Sequence, residues 1–244
     1  MKNELQPIHN FLLKNESYNK KFQMKEYKKI LFPHESIEEK IIALLYSIVN
    51  TQSQPKIDPL SDFFRCIVWK KYDSLKSFKS FVRALTDSDD TSYKTLYENL
   101  KNNKGWGKKT SALFTKVIFN IHYKKYDKEL VFWDDTPQTL NNDKIFLPVD
   151  TVIIEIFNQL GMSNPSFDSI NKELHKYYSV EEMAIWDDLW FWGFINQKGS
   201  GKDRNIEWNS NKYWALESSD KDPDTLNTIK YKSSVFRQLI LGKS

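Results

Sequence analysis

The chain has 244 residues, 40% of them hydrophobic and 28% charged, with a formal net charge of +4. These values exclude a disordered or fibrous chain, leave room for an ample core in one domain or two closely packed ones, and permit a nucleic-acid partner without requiring it. The single cysteine, Cys66, excludes an internal disulfide framework and any four-cysteine zinc or iron–sulfur site. No apolar run reaches membrane-spanning length and Met1–Pro7 carries no hydrophobic signal segment, so the expectation is an intracellular protein with no membrane partner.

Residues 1–35 hold a predicted helix around Ile8–Leu13 and a Lys/Tyr-rich segment ending at Phe32-Pro33. Ser36-x-x-Glu39 is a capping box that opens a helix through Ile37, Ile41, Leu44, Leu45 and Ile48. It ends in the amide-rich run Asn50-Thr51-Gln52-Ser53-Gln54-Pro55. Residues 60–85 predict two short helices, with Cys66 as a buried thiol in the run Phe63–Trp69. Residues 87–90 read as a turn and cap before a helix over 91–100, with Tyr93, Leu96, Tyr97 and Leu100 inward. The turn Lys104-Gly105-Trp106-Gly107-Lys108-Lys109 follows, leading into a helix over 109–121. In the connection 123–147, two β-prone patches (130–133 and 144–147) predict a small hairpin.

Pro148-Val149-Asp150-Thr151 starts a helix carrying Val152, Ile153, Ile156, Phe157 and Leu160, with Asp150 as its N-cap and Gly161 as its C-cap. After Asn164-Pro165 a helix runs through Leu174 to about Tyr178. A second capping box, Ser179-x-x-Glu182, opens an aromatic helix reaching Phe194. Residues 197–212 and 217–224 read as loops, and 225–241 as an amphipathic helix. The histidines (His9, His34, His122, His175) stand apart from one another and from carboxylates at ligand spacing, so neither a metal site nor a cofactor is expected.

Two places carry chemistry. Glycines two apart at a helix start free backbone N–H groups to converge on a phosphate, so Gly105, Gly107, Lys104 and Lys108 are candidate DNA contacts. Lys109 and Asp150 each stand at the start of a helix. Taken singly, a solvated or phosphate-contacting lysine and a plain N-cap are the better readings.

Together, in this order, they resemble the helix-hairpin-helix DNA glycosylases of the endonuclease III superfamily (the HhH-GPD group). There a Gly-x-Gly-x-Lys hairpin carries a catalytic lysine and a Val-Asp-Thr step a catalytic aspartate, the positions of Lys109 and Asp150. Asn103-Lys104 stands where that family has Leu-Pro, and the stretch between the two residues is long. The long insertion, the missing cluster and the Pro-Val-Asp step look most like the archaeal 8-oxoguanine DNA glycosylase branch. So does Asp188-x-x-x-Trp192, whose counterparts in that branch contact the flipped base. The resemblance covers 37–194.

It implies a mainly α fold of two helical subdomains, 36–146 and 1–35 with 147–244, with the active site in the cleft between them. It implies base-excision repair of double-stranded DNA by a monomer, cytoplasmic and nucleoid-associated, that removes an oxidised purine such as 8-oxoguanine and then cleaves the strand as an AP lyase. Asp188 and Trp192 would bind the base, and Asn50, Gln52 or Gln54 would fill the space the base leaves. The alternatives are a non-catalytic helix-hairpin-helix DNA-binding protein and a monofunctional glycosylase of alkylated bases using Asp150 alone.

Overall fold

The structure, a computed structural model, describes residues 1–86, 89–201, 203–217 and 222–242. Asp87 and Ser88 of the predicted 87–90 turn, Lys202, and 218–221 of the predicted 217–224 loop lie outside the described residues. The chain is mainly helical and divides into two compact units, 23–148 and 1–22 with 149–244.

In the unit 23–148, helix α3 (Ile37–Val49) starts at the capping box, with Ser36 and Glu39 each bonding the other's backbone N–H. (The preceding helices are α1, Lys2–Lys14, and α2, Glu16–Leu31.) Helix α4 (Ile57–Lys70), a 3₁₀ turn (Tyr72–Lys76), α5 (Phe78–Leu85), α6 (Tyr93–Asn102) and α7 (Lys108–His122) follow. Cys66 is half-buried, not buried as its neighbours suggested, because α4 turns Phe63 and Ile67 inward and leaves Cys66 beside that face. Helix α7 is the centre of this unit. From Thr110 to His122 all but Leu113 are buried, and α3 and α6 pack against it. A helix buried on nearly every side is covered by several neighbours at once.

One of those neighbours is the connection 123–147. It contains a short 3₁₀ turn (Lys128–Leu130) and no strand among its residues, so the predicted hairpin of 130–133 and 144–147 does not form. The apolar residues of both patches are used differently: Leu130, Trp133, Ile145 and Leu147 are buried, and Trp133 donates from Nε1 to the Leu75 carbonyl (2.9 Å). The polar spacer holds the segment in place. Asp135 accepts from the N–H groups of Phe78 (2.8 Å) and Lys79 (2.9 Å), and Asp143 from those of Tyr93 (3.0 Å) and Lys94 (2.8 Å). Each carboxylate thus caps a helix far away in sequence.

This unit begins earlier than the expected residue 36. Gln23 accepts from Asn120, and Lys28 pairs with Asp127 and Glu129, so the second half of α2 belongs with it.

In the unit 1–22 with 149–244, α8 (Thr151–Gln159) leads to α9 (Phe167–Leu174), with Gly161 at φ +79° just past the C-cap Leu160. The predicted aromatic helix is two helices, α10 (Val180–Ile185) and α11 (Asp188–Ile195), broken at Trp186-Asp187 by tighter three-residue bonds from Leu189 and Trp190. Most of the described residues of 197–212 are not in a loop. They form an antiparallel hairpin, β1 (Gln197–Ser200) and β2 (Asp203–Ile206), followed by α12 (Ser210–Leu216). The final helix α13 (Pro223–Leu241) packs against α1, and Lys232 donates to Asn15 (2.7 Å).

Candidate nucleic-acid interface

The Gly-x-Gly turn between α6 and α7 is anchored by its middle residue. Trp106 is buried, edge-on to Phe63 (5.4 Å) and Phe114 (6.1 Å). That anchoring forces the chain past Leu60: Gly105 has φ +90°, and a Cβ there would lie 2.9 Å from the Leu60 side chain. Gly107 has φ −113°, and a Cβ there would meet only the Thr110 hydroxyl at an ordinary contact distance of 3.9 Å, so nothing in the fold demands a glycine there. The expected convergence of free N–H groups is only partial. The Trp106 N–H bonds to the Asn103 carbonyl (3.1 Å), and the Gly107 N–H bonds to the Thr110 hydroxyl (3.0 Å).

The same turn meets the loop after α3. Gln52 donates from Nε2 to the Gly105 carbonyl (3.3 Å), and Lys109, in the first turn of α7, reaches the Thr51 carbonyl with its Nζ at 3.5 Å. Gln52, Ser53, Gln54, Gly107, Lys109 and Thr110 line an open cleft of about 240 Å³. Four predicted site positions fall at this place: Gln52, Gly105, Gly107 and Lys109. Asn50, Lys104 and Lys108 are exposed on its outer surface.

Asp150 has a different setting. As N-cap of α8 it accepts through Oδ1 from the N–H groups of Val152 (2.9 Å) and Ile153 (3.1 Å). Its Oδ2 accepts from the Trp190 indole N–H (3.0 Å). Three donors therefore fix the plane of a half-buried carboxylate. The Trp190 ring stacks on Phe194 (4.9 Å between centroids, 12° between planes), and the Lys212 ammonium stands 4.9 Å from the centre of the Phe194 ring.

Compared with known proteins, the chain matches no family model, no curated protein and no solved structure. The functional reading therefore stands on the residues themselves.

Asp188 and Trp192 require correction. Trp192 is 0% exposed, packed among Phe11, Tyr18, Phe191 and Phe236, so its ring offers no face for a base to stack on. Asp188 is buried and accepts from Asn19 (2.6 Å), which ties it to α2 in the same unit. Both are interior groups. On this helix the aromatic residue beside the Asp150 carboxylate is Trp190. The i to i+4 spacing correctly puts Asp188 and Trp192 on one face of α11, but that face is the buried one. The only signal for Trp190 was its place on the opposite side of a helix apolar all round.

Among the described residues no group of three or more His, Cys, Asp or Glu could hold a metal ion, and no helix is long and apolar enough to cross a membrane.

Proposed function

We propose that this chain is a base-excision DNA glycosylase with an AP lyase step, acting on double-stranded DNA that carries a damaged base. The substrate class we assign is an oxidised purine such as 8-oxoguanine. The observation that carries the reading is the Asp150 carboxylate, with one oxygen held by two backbone N–H groups and the other by the Trp190 indole. Departure of a base leaves positive charge on C1′, and a fixed anion stabilises that charge without having to reorganise as it develops.

Lys109 is the nucleophile in this reading. Its neutral amine bonds to C1′ as the base leaves, and the sugar ring opens to an imine. Loss of a C2′ proton then drives cleavage of the C3′–O bond, which breaks the strand. Gln52 and Gln54 line the Lys109 cleft with amides suited to the space left by an extruded base. Trp190 replaces Trp192 as the aromatic plane beside the reacting nucleotide.

The test is borohydride trapping on a panel of lesion-containing duplexes. Wild type is expected to cross-link to an 8-oxoguanine or abasic duplex, and Lys109→Gln to lose the adduct while still binding. Asp150→Asn is expected to slow base release by about a hundredfold or more with little change in stability, because Asn also caps helices well. An undiminished adduct in Lys109→Gln removes that lysine from the mechanism. Binding without any adduct or base release in wild type leaves a DNA-binding module in place of an enzyme.

A further inference from the structure

We infer that Arg204 and Lys212 form a binding site for a backbone phosphate of nucleic acid on the flank of Asp150. The inference rests on the reading of Asp150 as the group that faces a nucleotide's sugar, and it assigns a role to the polar stretch after residue 196.

The placement follows from one buried glutamine. Gln197, at the start of β1, is 0% exposed and donates from Nε2 to the Val152 carbonyl (2.9 Å) in the first turn of α8. Its Oε1 accepts from Nη1 of Arg204 (3.3 Å), so the guanidinium is tethered to the same helix start that Asp150 caps. The Arg204 Nε is buried and has no acceptor among the described residues. Lys212, half-buried, approaches from α12 with its ammonium over Phe194, the ring that stacks on Trp190.

Asp150 lies near enough to act on the Lys212 charge, but the hydrogen bonds it accepts come from the N–H groups of Val152, Ile153 and Trp190. Among the described residues no carboxylate forms an ion pair with either of them. The charge balance agrees. Burial lowers the Lys212 pKa, Arg204 lowers it further, and Asp150 only partly opposes them. Two half-buried cations that repel each other are relieved by an anion between them. An arginine fork beside a lysine point charge fits the oxygens of a phosphate. A phosphate here would hold the strand beside the carboxylate that acts on its sugar.

Equilibrium binding of an undamaged duplex and of one carrying a tetrahydrofuran abasic analogue, each over a range of salt concentrations, tests this. Arg204→Gln and Lys212→Gln are each expected to lower the slope of log affinity against log salt by about 0.9, the value for one lost phosphate contact. Lys212→Arg is expected to keep the wild-type slope. Lys212→Met, which retains the stem on Phe194, guards against loss of folding and should behave as Lys212→Gln. Unchanged slopes in all the neutral variants overturn the inference. Binding of inorganic phosphate that is lost in the variants, together with unchanged duplex salt slopes, would assign the site to free phosphate and overturn the nucleic-acid assignment. If wild type shows no preference for the abasic duplex, the glycosylase reading fails by itself, while the slopes on the undamaged duplex still decide the phosphate site.

Discussion

Gly105 and Gly107 look alike in the sequence and do different things in the fold. Gly105 is fixed by backbone geometry and by Leu60, so a side chain there meets both a left-handed φ and a clash. Gly107 is an N-cap with ordinary φ, a position at which serine serves well. The same substitution separates the roles. Gly105→Ser is expected to cost about 1–3 kcal/mol. Gly107→Ser should leave the denaturation midpoint within error of wild type and weaken duplex binding, because the added side chain obstructs close approach of a phosphate to the backbone. Wild-type binding by a folded Gly107→Ser protein would remove Gly107 from the interface.

The elements best anticipated are those whose signals are local. The Ser36/Glu39 and Ser179/Glu182 boxes, the Asp150 cap and the inward face of α6 depend on residues within one or two turns, and all appear where the spacing puts them. The connection 123–147 was misread because its partners are remote. Val, Phe and Trp favour a strand when another strand is available, but here they cover α7 while Asp135 and Asp143 take helix N-termini as partners. In α6 the division of labour is complete: Asp143 satisfies Tyr93 and Lys94, Ser92 satisfies Thr95, and Leu96 bonds the Ser92 carbonyl. Asp143→Ala leaves two N–H groups without their acceptor and should cost about 2–3 kcal/mol. Ser92→Ala, which removes a local cap, should cost about 1 kcal/mol. Urea denaturation of the two variants checks the ranking; an Asp143→Ala protein as stable as Ser92→Ala would make the Asp143 carboxylate of the connection 123–147 worth no more than a local cap. Of the candidate site, Lys109 and Asp150 could be named from the sequence because each stands at a helix start two residues after a glycine or proline. Trp190, Arg204 and Lys212 were not, because their relevance comes from packing across elements.

At the scale of the whole chain, burial holds two histidines toward their neutral form. His122, at the end of the central helix, is 0% exposed and contacts the Trp133 carbonyl through Nδ1 (3.2 Å). A carbonyl only accepts, so Nδ1 carries the proton and donates. Burial pushes the His122 pKa down to about 4, and burial lowers that of His9 as well. In the unfolded chain a histidine titrates near 6.5. Between pH 6.5 and 4 the unfolded state therefore binds more protons than the folded one. The stability due to a neutral His122 is fully present above about pH 6.5 and is lost as pH falls toward 4. From pH 7 to pH 5 the loss is about 2 kcal/mol. His122→Asn retains a donor for the Trp133 carbonyl but cannot titrate. Its urea midpoint should be lower than that of wild type at pH 7, from the lost ring packing, yet fall much less between pH 7 and pH 5. The carboxylates lowered by cationic partners, Asp127 beside Lys28 and Glu173 beside Lys176, act only at more acid pH and should affect both proteins alike. Parallel pH profiles for wild type and His122→Asn would show that His122 is not the group whose protonation opens the core.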